Sequence, residues 1–189
     1  MEASTETRRK LTTEYGYRAV SSFEELGARE RFGAVALLNV LDRCDDPVGL
    51  LGAAANALRP DGVLLVATVL PFCSMVYEGV KGKTGAHRPP TRPLRLPPGM
   101  RCGMVKLGRT GGDRYLLDNN QLDRRQFAEH LSGFVNATVG TLPLRVAAWT
   151  RLPYLSTGTT EDTYYHLDNA LLVLRRPGEG LTGPVPRGW

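Results

Sequence analysis

The sequence predicts an α/β fold. Three observations carry that prediction: the apolar runs Val35–Leu38 and Val63–Leu70, and the amphipathic stretch Pro47–Leu58 between them. Unbroken apolar runs of strand length read as strands buried on both faces of a parallel sheet. A helix between two such strands is the crossover that parallel pairing demands, right-handed by rule.

Taken in order, Ser4 to Tyr15 reads as a helix, capped by Ser4 or Thr5 and stopped by Gly16. Tyr17–Val20 is a short strand candidate, and FEELGAR (Phe23–Arg29) a helical turn. The stretch FGAVALLNVLDRCDD (Phe32–Asp46) follows. Its apolar strand gives way abruptly to Asn39, Asp42, Arg43, Asp45 and Asp46. Ligands of open α/β sheets lie outside the carboxyl ends of strands, so Asn39 and Asp42 fall where a ligand is expected. The same cluster also reads as a plain strand–helix turn, with Asp46 as N-cap and Pro47 at the first helical position.

Helix Pro47–Leu58 places Leu50, Leu51, Ala54, Ala55 and Leu58 on one face. Arg59-Pro60-Asp61-Gly62 reads as a tight turn, and Val63–Leu70 as the second buried strand. Leu122–Phe134 is a helix with Phe127, His130, Leu131 and Phe134 on one face; His130 reads as a core-flanking or surface residue. Leu144–Thr150 and Asn169–Leu174 are two further strands. Their long connection has no helix, which predicts an antiparallel pair at the sheet edge.

At 189 residues the chain reads as one domain, residues 1–176, with a tail, 177–189, whose Pro/Gly-rich composition predicts disorder. No apolar run reaches membrane-span length, and the polar start Met1–Lys10 shows no secretory signal. Cys44, Cys73 and Cys102 have no CxxC spacing and read as reduced thiols of an intracellular chain of unassigned compartment. His87, His130 and His166 lie far apart, which argues against a metal site. The net charge of +5 is concentrated: Lys81–Arg114 carries nine Lys and Arg against one acid, Asp113. That segment, within a Pro/Gly-rich insertion over residues 74–116, has no aromatic residue on which a nucleic-acid base would stack. It reads as a solvated loop dispensable for chemistry, or as a site for an acidic partner.

Four blocks identify a family: LNVLDRCDDP (Leu38–Pro47), VLPF (Val69–Phe72), TRLPYL (Thr150–Leu155) and DTYYHLDNALLVLRRP (Asp162–Pro177). In order and spacing they resemble the DREV family of protein-histidine methyltransferases; the basic segment and the tail have no clear counterpart there. The resemblance implies the class I, Rossmann-like methyltransferase fold with an antiparallel edge hairpin, and S-adenosylmethionine as cofactor. It implies methyl transfer to the N1 (pros) nitrogen of histidine in proteins with His-x-His-like motifs, by an enzyme that is monomeric when complete. Measured against that fold the chain is incomplete at its start, lacking the first strand and its glycine-rich loop. Tight binding of the cofactor by this chain alone is therefore not expected.

The resemblance also implies roles. Glu2 falls where the family places the carboxylate that binds the ribose hydroxyls, although a helix-N-terminal acid favoured by the dipole reads equally well. Asp42 would stabilise the histidine ring as it becomes cationic and take its proton, and Asn39 would orient substrate or cofactor. The competing use of Asp42 is a salt bridge to Arg43 or Arg151. Tyr154 and Tyr165 match family tyrosines of the substrate groove, against ordinary packing beside an edge strand. Asp168 reads as structural, capping a loop or holding Arg151. The alternative to an enzyme is a catalytically inactive, truncated module that binds a protein or an acidic partner.

Overall fold

The computed structural model describes residues 4–27, 31–78, 86–97, 100, 104–106, 115–117, 122–157 and 164–177. In chain order the described elements are helix α1 (Thr5–Tyr15), strand β1 (Phe32–Leu38), helix α2 (Pro47–Asn56) and strand β2 (Leu58–Val69). The short strands β3 (Val76–Glu78), β4 (Ala86–Arg88), β5 (Met104–Lys106) and β6 (Tyr115–Leu117) follow. Helix α3 (Arg124–Thr138) and strands β7 (Arg145–Arg151), β8 (Tyr154–Thr157), β9 (Tyr164–Leu167) and β10 (Asn169–Arg175) complete the set.

The main sheet runs β1-β2-β10-β7. β1 and β2 are parallel, with Leu37 opposite Val66 and Leu38 opposite Ala67. The ten residues of α2 rise about 15 Å, enough to carry the chain back to the start of the next parallel strand. Its local signals are realised: the Asp46 carboxylate accepts from the Gly49 N–H at 2.8 Å, and Pro47 opens the helix. α1 is capped by Ser4 and closed by Gly16 in the left-handed region, as its sequence predicts. α3 runs to Thr138, past the predicted Phe134, from a capping box of Asp123 and Gln126.

The core lies between one face of this sheet and helices α2 and α3. Leu37, Leu64, Val66, Leu172 and Leu174 meet Leu51, Ala54 and Ala55 of α2 and Phe127, Leu131 and Phe134 of α3, all buried. The opposite face is different. Ala34, Ala36 and Leu38 are exposed, while Leu65, Leu171 and Val173 are half-buried. Burial of β1 on both faces is therefore corrected: among the described residues it is an edge strand covered on one side. An unalternating run cannot by itself tell a central strand from an edge strand.

Two other expectations change. Tyr17–Val20 is not a strand. Arg59–Gly62 is not a turn between helix and strand but a bulge inside β2, where the five steps from Leu58 to Val63 face the two from Phe32 to Ala34. A Cβ on Gly62 would meet the Phe32 carbonyl at 2.9 Å, so glycine is required at this bulge. β7 and β10 form the predicted antiparallel pair at the sheet edge, β7 outermost and β10 pairing on its other side with β2. The connection between them also holds a second antiparallel pair, β8 with β9.

The predicted tail and most of the basic segment lie outside the described residues. The described part of that segment is attached to the fold. Pro90 is buried, Leu94 and Leu96 pack against the core, and Met100 reaches α3 where Gly133 leaves room for its sulfur. A purely solvated loop is therefore not what residues 86–97 form.

Candidate functional site

Asn39 follows the last residue of β1, and its backbone N–H donates to the Ala67 carbonyl at 2.9 Å, so parallel pairing fixes it at the strand end. Its φ is 53°, in the left-handed region that asparagine tolerates better than most residues. Non-glycine residues held there cluster at functional sites. From this position the side-chain amide donates to the Tyr154 hydroxyl at 3.4 Å. Its Oδ1 is buried and has no hydrogen-bond partner among the described residues.

Asp42 lies in the single helical turn Leu41–Arg43, which fully buried Leu41 anchors in the core. Its backbone carbonyl accepts from the Met75 N–H at 2.7 Å. Its Oδ1, like that of Asn39, is buried without a partner. The nearest cation is Arg43, largely exposed, with Nε 3.8 Å from Oδ2. That is a loose contact, and Arg151 is engaged elsewhere. Burial pushes the Asp42 carboxyl above the usual carboxylate range, and Arg43 only partly offsets it. The Tyr154 phenol is also raised, by burial first and then by the Asp42 carboxylate. Asn39, Asp42 and Tyr154 thus form one group, brought together from residues more than a hundred positions apart.

Asp42 also lines a cleft, together with Arg43, Val69, Pro71, Cys73, Met75 and Leu167. Leu70–Pro71 is a cis peptide, and the Leu70 N–H donates to the Asp168 carbonyl at 2.8 Å. Asp168 is buried and holds Arg151 through both oxygens, with Nε to Oδ1 at 2.6 Å. Arg151 also donates to the Leu122 carbonyl and lies 4.8 Å over the Phe127 ring. The structural reading of Asp168 is thus realised in its pairing with Arg151, which fixes the strand end just before Tyr154.

Tyr165 lies in β9, opposite Ser156. Its side chain, and Glu2 altogether, lie outside the described residues, and so does Cys102. Neither Cys44 nor Cys73 forms a disulfide with a described residue; burial pushes the Cys44 thiol up to about 11, well above reactive range. His130 is half-buried, and burial lowers its pKa. Among the described residues there is no cluster of metal-ligating side chains and no helix long and apolar enough to cross a membrane.

The sequence reading missed two ion pairs. Arg88, at the end of β4, grips the Asp45 carboxylate with both terminal nitrogens, at 2.5 and 2.7 Å. Arg92 reaches Asp46 at 2.9 Å. The excess of cations in this segment and of acids at Asp45–Asp46 was a signal for such pairing, but not for which partners meet.

A family model now decides the kinship: that of the DREV methyltransferases matches residues 1–97 and 94–176. The chain belongs to the DREV methyltransferase family. Its membership makes it a protein of the methyltransferase kind, with a mixed α/β sheet compatible with such a fold. The two matches meet within the basic segment, at residues 94–97. They stop at residue 176, before the tail.

Proposed function

We propose that this DREV chain serves an enzyme activity that methylates the N1 (pros) nitrogen of histidine in protein motifs of the His-x-His kind, with S-adenosylmethionine as methyl donor. The observation that carries the reading is the pair of buried, unpartnered acceptors, Asn39 Oδ1 and Asp42 Oδ1, beside Tyr154 at the carboxyl end of β1. Buried acceptors of this kind are costly unless a ligand satisfies them. The family and the resemblance of LDRCD and TRLPYL supply the reaction class and the choice of histidine.

The order of the main sheet supports the class I fold: a parallel pair followed by an antiparallel strand that returns between β2 and the edge. The donor set fits the cofactor in kind. Asn39 offers a buried acceptor, and by the resemblance Glu2 would take the ribose hydroxyls. S-adenosylmethionine supplies an electrophilic methyl group when bound.

The protein's own part is to present the right lone pair and receive the right proton. A neutral imidazole with its proton on the N3 (tele) nitrogen has its lone pair on N1. Asp42 Oδ1 accepts that N3–H and so selects this tautomer. As N1 gains its bond to carbon the ring becomes cationic, and the carboxylate stabilises it in a water-poor site. The N3 proton then passes to Asp42. A carboxyl raised above its usual range is better matched to receive a proton from imidazolium. Tyr154 flanks the ring, with its hydroxyl held by Asn39, and by the resemblance Tyr165 would take part in the same groove.

The test is mass-spectrometric assay of a His-x-His peptide with the purified protein, followed by identification of the methylhistidine isomer. The expected product is the pros isomer. Asp42→Asn should lower turnover by about a hundredfold or more, the usual loss when a transition-state electrostatic partner is removed. Near-normal turnover by this variant sinks the assignment.

A further inference from the structure

The turn that carries Asp42 is held at both ends by the segment running from Met75 to Arg92. At one end the Met75 N–H donates to the Asp42 carbonyl at 2.7 Å. At the other, the Asp45 carboxylate receives both terminal nitrogens of Arg88 and the Thr91 N–H at 3.1 Å. The Asp45 carbonyl receives the Arg92 N–H at 3.0 Å. Between these anchors, β3 and β4 pair antiparallel, with Val76 opposite Arg88, so the two anchors are themselves tied together. Residues Leu41 to Asp46 therefore sit in a frame closed on three sides: the core below, Met75 on one flank, Arg88 to Arg92 on the other.

We propose that Arg88 and Asp45 are positioning residues that act through Asp42: the fork of Arg88 on Asp45 sets the place of the Asp42 carboxylate. This rests on the proposed role of Asp42. The geometry suits a positioning role better than a stabilising one. Both side chains are a third or more exposed, and exposed ion pairs contribute little to global stability. A bidentate guanidinium–carboxylate pair is instead strong in fixing geometry. Asp42 is among the residues that line the cleft and Asp45 is not, so the direct chemical role is given to Asp42. A carboxylate that must meet an imidazole N–H tolerates little displacement, since even a 1 Å misplacement is costly to the rate.

Two measurements test this. The first is residue-resolved amide exchange in the 189-residue chain, with and without Arg88→Gln. Loss of the fork should speed exchange at Thr91 and Arg92, and also at Met75, across the frame. Faster exchange at Thr91 and Arg92 with Met75 unchanged overturns the proposal, because the fork then does not reach the Asp42 turn.

The second is kinetic, on the purified protein. Arg88→Gln should lower kcat about tenfold with KM changed less than about twofold, and Asp45→Asn should match it. Arg88→Lys, which keeps the charge and loses the fork, should recover only part. In an Asp42→Asn background Arg88→Gln should cost nothing further, whereas a purely structural loss would add. Additive losses, or wild-type kcat in Arg88→Gln, overturn the proposal. If the wild-type protein methylates no histidine peptide, the reading of the site fails, and the exchange measurement still decides whether the fork positions Asp42.

Discussion

Asp42 and Asp45 stand in one turn and are pushed in opposite directions. The Arg88 fork and the Thr91 N–H hold the Asp45 carboxyl well below the usual range, while burial holds Asp42 above it. One is fixed as an anion; the other is poised to gain a proton. The sign of the Asp42 shift has a consequence for stability. A carboxyl whose pKa is raised on folding favours the folded state most where it is protonated, below the ordinary aspartate value of about 3.9. That contribution is lost as pH rises through its folded-state value. Asp42→Asn should therefore melt higher than wild type at pH 7, by about 2–4 °C if the relief is about 1 kcal/mol. The difference should shrink as pH falls toward 4. Melting curves over pH 4 to 8 read this directly, and a variant that melts lower than wild type at pH 7 contradicts it. A residue that weakens the fold yet is required for the reaction is what a functional position looks like.

At the scale of elements, the Arg151–Asp168 pair does for β7 and β10 what the caps do for α2. It joins the end of one strand to the start of the other, and Arg151 adds the Leu122 carbonyl and the face of Phe127. Asp168 is almost wholly buried, so removing its partner leaves an uncompensated charge in the fold. Arg151→Ala should cost about 2–3 kcal/mol, below the usual range for a buried pair because Arg151 is partly exposed. Denaturant titration measures it, and a loss under about 0.5 kcal/mol would show that solvent already screens the pair. The elements most legible in the sequence are those fixed by local chemistry. The Asp46–Pro47 start of α2, the Ser4 and Gly16 ends of α1, and the apolar stripe of α3 each depend on neighbours within a few residues. The contacts that were not legible join distant segments: Arg88 to Asp45, and Asn39 to Tyr154. The sequence offered charges and a strand end but not the fold path that makes them meet; Tyr154 entered only through the family resemblance. The bulge at Arg59–Gly62 failed for a related reason, because Pro-Asp-Gly reads as a turn wherever it occurs.

At the scale of the whole molecule, the described sheet has one covered face and one open one. β1 is its edge, and no described strand pairs with the outer side of β1. The exposed side of β1 carries Ala34, Ala36 and Leu38, and Leu38 is 56% exposed. Val40, just beyond the strand, is 38% exposed, so the apolar surface continues past the strand end. None of the devices that usually protect an edge is present within the strand: Phe32–Leu38 contains no lysine, no other charge and no proline. α1 could have covered this surface, but it buries no residue at all. An unprotected edge with an apolar face offers backbone donors and acceptors together with hydrophobic area, which favours pairing between copies. The 189-residue chain in isolation should therefore associate as its concentration rises. Leu38→Lys places a charge on the open face of the strand without touching the buried Leu37. It should shift the chain toward monomer while leaving the melting temperature within a few degrees. Sedimentation velocity across a range of concentrations checks both halves. A wild-type chain that stays monomeric throughout, or a Leu38→Lys variant that associates as strongly as wild type, would show that the edge and open face of β1 are not where copies meet.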